Sequence, residues 1–162
     1  KIPMKYNETY WSLGPESVEY LLNTPHAVFI ERGDEAPWAF CHAGMTYKKF
    51  DQDPQAFIRN RFISRDPVSG RLLPAQSKNV DGKWYVPEGA KEWYEYWDGR
   101  WKVVYGHSVY KEPKIANNTF GIDLGCCFGG YLCALILDPG EPFKFEYVKS
   151  NFKYEQQETE GT

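Results

Sequence analysis

The stretch Ile122-Asp-Leu-Gly-Cys-Cys-Phe-Gly-Gly-Tyr-Leu-Cys-Ala-Leu135 has the most specific pattern in the sequence. Two apolar segments, 120–124 and 130–137, flank a glycine-rich turn at 125–129, which predicts two strands joined by a short connection. The alternating segment 143–148 predicts an edge strand that follows them. We therefore expect the C-terminal part of the chain to be mainly β-structure.

Two further predicted strands each end at a histidine that lies near a glycine. Trp38–Cys41 continues into His42-Ala-Gly44, and Lys102–Tyr105 continues into Gly106-His107. A strand end fixes the orientation of an imidazole, and a neighbouring glycine allows the backbone to approach a metal or a phosphate closely. A single histidine of this kind is more often a hydrogen-bonded structural residue, but the repeated pattern favours a site.

Helices are predicted on either side of these strands. Apolar residues recur at helical spacing in 15–24 and 54–63, and each segment has a proline in its first turn. The stretch 64–90 is rich in Pro, Gly, Ser and Asp and predicts a long loop with an irregular hairpin near Trp84. Residues 88–97 predict a short helix.

Composition excludes several classes of protein. The chain has 162 residues, 42% of them hydrophobic and 25% charged, which is typical of one globular domain. The formal charge of −3 does not favour nucleic acid as a partner, and no run of 18 apolar residues predicts a membrane span. The four cysteines show no C-x-x-C spacing, which predicts free thiols in a reducing cytoplasm.

Several motifs together resemble one enzyme family. Phe40-Cys-His-Ala-Gly-Met45 resembles the F-V-H-A-G element of calcineurin-like metallophosphoesterases, and Val104-Tyr-Gly-His-Ser108 resembles their V-x-G-H-T element. The stretch at 122–135 resembles their I-D-T-G-C-V-F-G-G-x-L-T-A-L segment, in the same order. Weaker matches are Phe57-Ile-Arg-Asn-Arg61, similar to a W-x-R helix, and Glu8-Thr-Tyr-Trp-Ser-Leu-Gly14, similar to a T-x-x-S-Y-G stretch.

The resemblance is greatest to the bacterial and phage branch that joins Ser/Thr protein phosphatases with diadenosine tetraphosphate hydrolases. It implies an α/β (α+β) fold, a sandwich of two mixed sheets with flanking helices, of which residues 1–154 would form the C-terminal portion and 155–162 a polar tail. It also implies a hydrolase of phosphate esters, with a phosphoprotein or a dinucleoside polyphosphate as substrate. Two divalent metal ions, manganese first and iron or zinc as alternatives, would activate a hydroxide.

The resemblance also implies roles for particular residues. His42 and His107 would be ligands of the same metal ion. Arg59 would be a catalytic residue that holds the substrate phosphate through two parallel hydrogen bonds, and the neighbouring Arg61 would be a second substrate-binding residue. Asp123 would orient one of the metal-binding side chains without binding the metal itself, although a structural role in its turn is an equal alternative.

The sequence lacks the other motifs of this family. D-x-H, G-D-x-x-D-R-G and G-N-H are not found, and the only Gly-Asp is Gly33-Asp34 inside a predicted hairpin turn. We therefore expect this chain to supply the C-terminal half of the site, with an N-terminal segment or a second chain supplying the rest. The alternative is a catalytically incomplete family member that acts as a binding or regulatory protein.

The substrate of such a site is not determined by the motifs. We expect it to depend on the predicted 64–100 loop, which carries several basic and aromatic residues but matches no known pattern. These residues are Arg65, Arg71, Lys78, Trp84 and Trp93.

Overall fold

A computed structural model describes residues 12–31, 33, 36–46, 54–81 and 83–152. The polar tail predicted at 155–162, most of the 8–14 motif and the side chain of Trp84 lie outside the described residues.

The described residues form two α-helices and twelve strands. The helices are α1 (Pro15–Asn23) and α2 (Pro54–Arg59). The strands are β1 (Ala27–Ile30), β2 (Trp38–Cys41), β3 (Phe62–Arg65), β4 (Leu72–Ala75), β5 (Lys78–Val80), β6 (Lys83–Tyr85), β7 (Lys91–Glu92), β8 (Lys102–Tyr105), β9 (Lys114–Ala116), β10 (Thr119–Gly121), β11 (Tyr131–Ile136) and β12 (Lys144–Lys149). Few helices and several sheets confirm the predicted mixed α/β class.

The main sheet has five strands in the order β1-β2-β8-β10-β9. Its three central strands, β2, β8 and β10, are parallel, whereas β1 and β9 pair antiparallel at its edges. Cys41 on β2 and Gly121 on β10 both lie opposite Tyr105 on β8. Because the three strands end level with one another, the residues that follow them meet at one edge of the sheet.

One face of the main sheet covers the hydrophobic core. Ala39, Val103 and Tyr105 point to this side and are at most 1% exposed. The core is completed by side chains from the segment after β2, from α2, from β3 and from the segment before β8: Met45, Phe57, Ile63, Trp93, Tyr94, Trp97 and Trp101. The aromatic rings meet edge to face, as between Trp93 and Tyr105 with centroids 5.0 Å apart, a favoured geometry for such pairs.

The opposite face of the main sheet meets the antiparallel hairpin β11–β12 through aromatic rings. Phe120 of β10 lies 5.1 Å from Phe143, and Phe143 lies 5.8 Å from Phe145 of β12, measured between ring centroids. The hairpin confirms the strand predicted at 130–137 and the edge strand predicted at 143–148, each with a shift of about one residue at its ends. The strand predicted at 120–124 is shorter and forms β10 of the main sheet instead, ending at Gly121.

The prediction of a long loop at 64–90 is wrong, but the hairpin predicted near Trp84 is confirmed by the pairing of β5 with β6. Four short strands, β3 to β6, occupy this region, with β4 and β7 pairing on either side of β3 and β5 pairing with β6. Pro74 lies within β4, where it is tolerated because β4 is an edge strand that pairs with β3 alone among the described strands. Strands this short have too few residues to show an alternating pattern.

Two predicted helices differ from the structure in length or type. The helix predicted at 54–63 ends at Arg59, and Phe62 begins β3 instead. The segment 88–97 forms β7 followed by a 3₁₀ turn at Trp93–Tyr96, whose start is capped reciprocally by Glu92 and Glu95.

Helix α1 matches the prediction for 15–24 to within one residue, but its apolar residues are exposed. Pro15 occupies the first turn, and Glu16 lies near the positive end of the helix dipole. Leu21 and Leu22 face solvent, and α1 buries no residue. None of the helices in the described ranges is long and apolar enough to span a membrane.

Candidate active site

The parallel register of β2 and β8 brings two of the predicted site residues together. His42 directly follows β2, and His107 lies two residues beyond the end of β8. His42 Nε2 and His107 Nδ1 are 3.1 Å apart, and the ring centroids are separated by 4.8 Å. Both imidazoles therefore face one point at the edge of the sheet, although 64 residues lie between them in the sequence.

The backbone around His107 is held in an unusual conformation. His107 has φ of +67°, in the left-handed region that residues other than glycine adopt infrequently. Arg61 Nη2 donates a hydrogen bond of 2.9 Å to the carbonyl oxygen of His107, and the Gly106 N–H donates one of 2.8 Å to the carbonyl oxygen of His42. These two bonds fix the loop of Gly106 and His107, here called the histidine loop, from both sides.

Asp123 follows the third parallel strand, β10, and lies beside the histidine loop. A Cβ atom built on Gly106 would be 4.0 Å from Asp123 Oδ2, so these residues are neighbours. Asp123 Oδ1 accepts a 3.0 Å hydrogen bond from the Gly125 N–H, and its carbonyl oxygen accepts one of 2.9 Å from the Tyr110 N–H. Asp123 thus has the structural turn role that we weighed as an alternative, and its role behind a ligand stays a prediction.

The electrostatic surroundings keep His107 neutral. Burial above all, together with the nearby positive charges of Arg61 and His42, lowers the pKa of His107 to about 4, against an opposing contribution from Asp123. A neutral imidazole has a lone pair available for a metal ion, whereas an imidazolium does not.

The distance between the two histidines suits a shared divalent metal ion. Two nitrogen ligands with metal–nitrogen bonds of about 2.1 Å are about 3.0 Å apart in octahedral and about 3.4 Å apart in tetrahedral coordination. The observed 3.1 Å lies between these values. Within the described ranges, however, no group of three or more His, Cys, Asp or Glu side chains is placed to hold a metal. The pair thus fits part of a coordination sphere.

The predicted arginines differ in position. Arg61 contacts the histidine loop directly, whereas Arg59 is the exposed last residue of α2. Of the residues proposed to select the substrate, Arg65 donates a 2.7 Å hydrogen bond to the Gly70 carbonyl oxygen at the far end of β3. Trp93 is only 1% exposed, which makes it a core residue of this segment.

Sequence reasoning missed two contacts beneath the site. A Cβ atom built on Gly44 would lie 2.5 to 2.7 Å from the Trp93 ring, so Gly44 is required by core packing. Tyr110 donates a 2.6 Å hydrogen bond to Glu92 Oε2 and lies 3.3 Å from the hydroxyl of Tyr105. The one sequence signal for the contact between Tyr110 and Glu92 is that Tyr110 lies three residues after His107.

Comparison with known proteins supports the motif resemblance. No family model matches the chain. Three curated relatives are asymmetrical bis(5'-nucleosyl)-tetraphosphatases named PrpE. That of Anoxybacillus flavithermus is 39% identical over 74 residues (41% of this chain, 30% of the relative). That of Halalkalibacterium halodurans is 42% identical over 52 residues (30% and 21%), and that of Bacillus cereus is 32% identical over 102 residues (63% and 37%). The chain is similar to part of these tetraphosphatases.

These similarities confirm the predicted resemblance to calcineurin-like metallophosphoesterases. The aligned regions span between about a fifth and two fifths of the length of these relatives.

Proposed function

We propose that this chain is part of a metal-dependent phosphoesterase that hydrolyses a dinucleoside polyphosphate. The observation that supports this most directly is the 3.1 Å approach of the His42 and His107 nitrogens at the ends of adjacent parallel strands. The names of the relatives favour a dinucleoside tetraphosphate over a phosphoprotein as substrate.

In this proposal His42 and His107 hold one divalent metal ion, with manganese as the first candidate. A metal pair, when bound, supplies Lewis-acid stabilisation of the phosphoryl oxygens and an activated hydroxide. Arg59 and Arg61 provide positive charge for the substrate phosphates. The backbone bond between Arg61 and His107 holds the imidazole in place, and the burial of His107 keeps it neutral.

The remaining ligands come from outside the described residues. Two imidazoles leave a divalent metal short of the four to six ligands that it requires. We propose that an N-terminal segment or a second chain supplies the missing acidic and histidine ligands, so the chain described here contributes half of the site.

The proposal is tested by removing each histidine in turn. In the complete site, formed with the segment or chain that supplies the missing ligands, His42→Ala and His107→Ala should each abolish hydrolysis of bis(5'-adenosyl) tetraphosphate in the presence of Mn²⁺. Hydrolysis is followed by chromatography of the nucleotide products. The two substitutions should also weaken Zn²⁺ binding, measured by calorimetry on the 162-residue chain. His26→Ala is the matched control because His26 lies at an exposed position between α1 and β1. Unchanged activity and unchanged Zn²⁺ affinity in both site variants would contradict the proposal.

A regulatory or binding protein without catalysis is the second candidate. It is favoured by the lack of a group of three metal ligands among the residues that the structure describes. Metal analysis of the purified protein discriminates between the two candidates, because a stoichiometric transition metal lost in His107→Ala would exclude the regulatory candidate.

A further inference from the structure

The imidazole of His107 is carried by a strained three-residue turn. The Ser108 N–H donates a 2.7 Å hydrogen bond to the Gly106 carbonyl oxygen, and His107 between them has φ of +67°. A three-residue turn whose central residue has a positive φ is rare and strained. Such a conformation persists only where contacts with the rest of the fold hold it. The contacts around these three residues, here called the His107 turn, therefore decide where the imidazole points.

Tyr110 anchors the chain that leaves the His107 turn. Its N–H donates a 2.9 Å hydrogen bond to the Asp123 carbonyl oxygen, and its hydroxyl donates one of 2.6 Å to Glu92 Oε2. A hydrogen bond to a carboxylate is shorter and stronger than one between neutral groups. Burial and the contact with Glu92 raise the pKa of Tyr110, so the hydroxyl keeps the proton that it donates. Tyr110 is thus held through both its main chain and its side chain.

A glycine of β10 provides the space for the Tyr110 ring. A Cβ atom built on Gly121 would lie 2.8 Å from Tyr110 Cε2 and 2.8 Å from the Tyr105 hydroxyl oxygen. The rings of Tyr105 and Tyr110 meet edge to face beside this glycine, with centroids 6.3 Å apart. The position of the Tyr110 ring is therefore determined by packing at the end of β10.

Two residues that hold the His107 turn belong to neighbouring strands of one small sheet. Arg61, whose guanidinium donates to the His107 carbonyl oxygen, directly precedes β3, and Glu92 is the second residue of β7. The Trp93 N–H donates a 3.0 Å hydrogen bond to the Arg61 carbonyl oxygen, which ties the two strands together beside the site. The β3–β4–β7 sheet thus contacts this part of the chain at His107 and again three residues later at Tyr110.

We propose that Tyr110 is a positioning residue for the metal site, which acts through its hydrogen bond to Glu92 to keep the His107 imidazole directed at His42. The inference rests on the proposed function for the metal, whereas the orientation of the imidazole can be measured without a metal. When the hydrogen bond is lost, the strained turn relaxes. The His42 and His107 nitrogens then no longer stay at the 3.1 Å separation that suits one ion.

The first measurement is NMR of the metal-free 162-residue chain. Its three histidines give three imidazole signals, which are assigned with His42→Ala and His107→Ala. The His42 and His107 ring centroids are 4.8 Å apart, so a nuclear Overhauser effect (NOE) is expected between their imidazole protons. In Tyr110→Phe this NOE should weaken or disappear and the His107 signal should shift, whereas the His26 signal should stay in place.

The second measurement is the affinity for Zn²⁺ by calorimetry. Loss of a side chain that supports a metal ligand directly lowers metal affinity by about 10- to 100-fold. Tyr110 acts one contact further from the metal, so Tyr110→Phe should weaken Zn²⁺ binding by about three- to tenfold. Glu92→Ala should have the same effect, and the double variant should lose no more affinity than either alone, because both act through one hydrogen bond. Glu92→Gln keeps an oxygen that accepts this bond and should retain most of the affinity.

Ile63→Val is the control that separates positioning from stability. Ile63 lies in β3 of the same small sheet, is 1% exposed and belongs to the hydrophobic core. Its shortening lowers the melting temperature through lost packing, by an amount similar to the loss of one hydrogen bond. The NOE and the Zn²⁺ affinity should nevertheless stay unchanged in this variant.

Three results would overturn the inference. They are an unmodified chain without the NOE, a Tyr110→Phe variant that keeps either its NOE or its Zn²⁺ affinity unchanged, and an Ile63→Val variant that loses as much of both. The proposed function fails separately, if Zn²⁺ binding to the unmodified chain does not depend on His107. In that case the NOE alone decides whether Tyr110 positions the imidazole.

Discussion

Gly44, two residues after His42, should be essential for the packing of the hydrophobic core. In Gly44→Ala, the new Cβ atom would lie 2.5 to 2.7 Å from three atoms of the Trp93 ring, about 1 Å inside ordinary contact. Trp93 is 1% exposed and packs against Trp97 and Tyr105 with centroids 6.0 and 5.0 Å away, so its ring has no free space into which it can move.

Overpacking of this kind costs about 1 to 3 kcal/mol of unfolding free energy, and we expect the upper part of this range because the ring is enclosed. At about 2 to 4 °C per kcal/mol for a chain of this size, the midpoint of thermal unfolding should fall by about 5 to 10 °C. The assay is thermal unfolding followed by tryptophan fluorescence.

Gly106→Ala is the control for this substitution. A Cβ atom built on Gly106 would meet its nearest neighbour, the His42 carbonyl oxygen, at 3.4 Å, which is an ordinary contact. Gly106 also lies directly beyond β8, as Gly44 lies shortly beyond β2. Equal melting temperatures of the two variants would refute the packing argument.

Three further predictions concern the structure around the site. Gly130→Ala should prevent the β11–β12 hairpin from forming, because its Cβ atom would collide with the Leu124 carbonyl oxygen. The NMR signals of β12 residues should shift to random-coil positions, and signals at the positions of the unchanged protein would contradict this. Tyr110→Phe should lower the unfolding free energy by about 1 to 2 kcal/mol, because it leaves Glu92 without its 2.6 Å donor; denaturant titration measures this, and an unchanged midpoint would exclude a stabilising bond. Burial, aided by Glu92, raises the pKa of Tyr94 to about 12. The stability due to its neutral phenol is therefore complete below pH 10 and is lost as the pH rises from 10 to 12. The melting temperature of Tyr94→Phe should fall less over this pH window than that of the unchanged protein.

The histidine pair was predictable because its determinants are local. Each histidine follows an apolar segment, and the ends of parallel strands meet at one edge of a sheet, so two local patterns led to one site. The strands at 72–85 were not predictable in the same way. They are three or four residues long, one includes Pro74, and their pairing depends on partners rather than on their own sequence.

Contacts between distant segments could also not be predicted from the sequence. Gly44 next to a metal motif suggested a close approach to an ion, but the space it leaves is filled by Trp93, nearly fifty residues later. Similarly, the spacing of Leu21 and Leu22 predicted a helix but not whether anything covers it. Periodicity indicates which face is apolar, whereas burial depends on the remainder of the fold.

The level ends of β2 and β8 separate the geometry of the site from the length of the chain between its two histidines. The distance between the imidazoles is set by one step across a sheet, about 4.8 Å, and by the Cys41–Tyr105 register. The loops of the intervening segment, such as those of the small β3–β4–β7 sheet, can therefore change in length without moving either histidine, provided that contacts such as the Arg61–His107 hydrogen bond are kept. A sheet built in this way can acquire new connecting segments while its two histidines stay together.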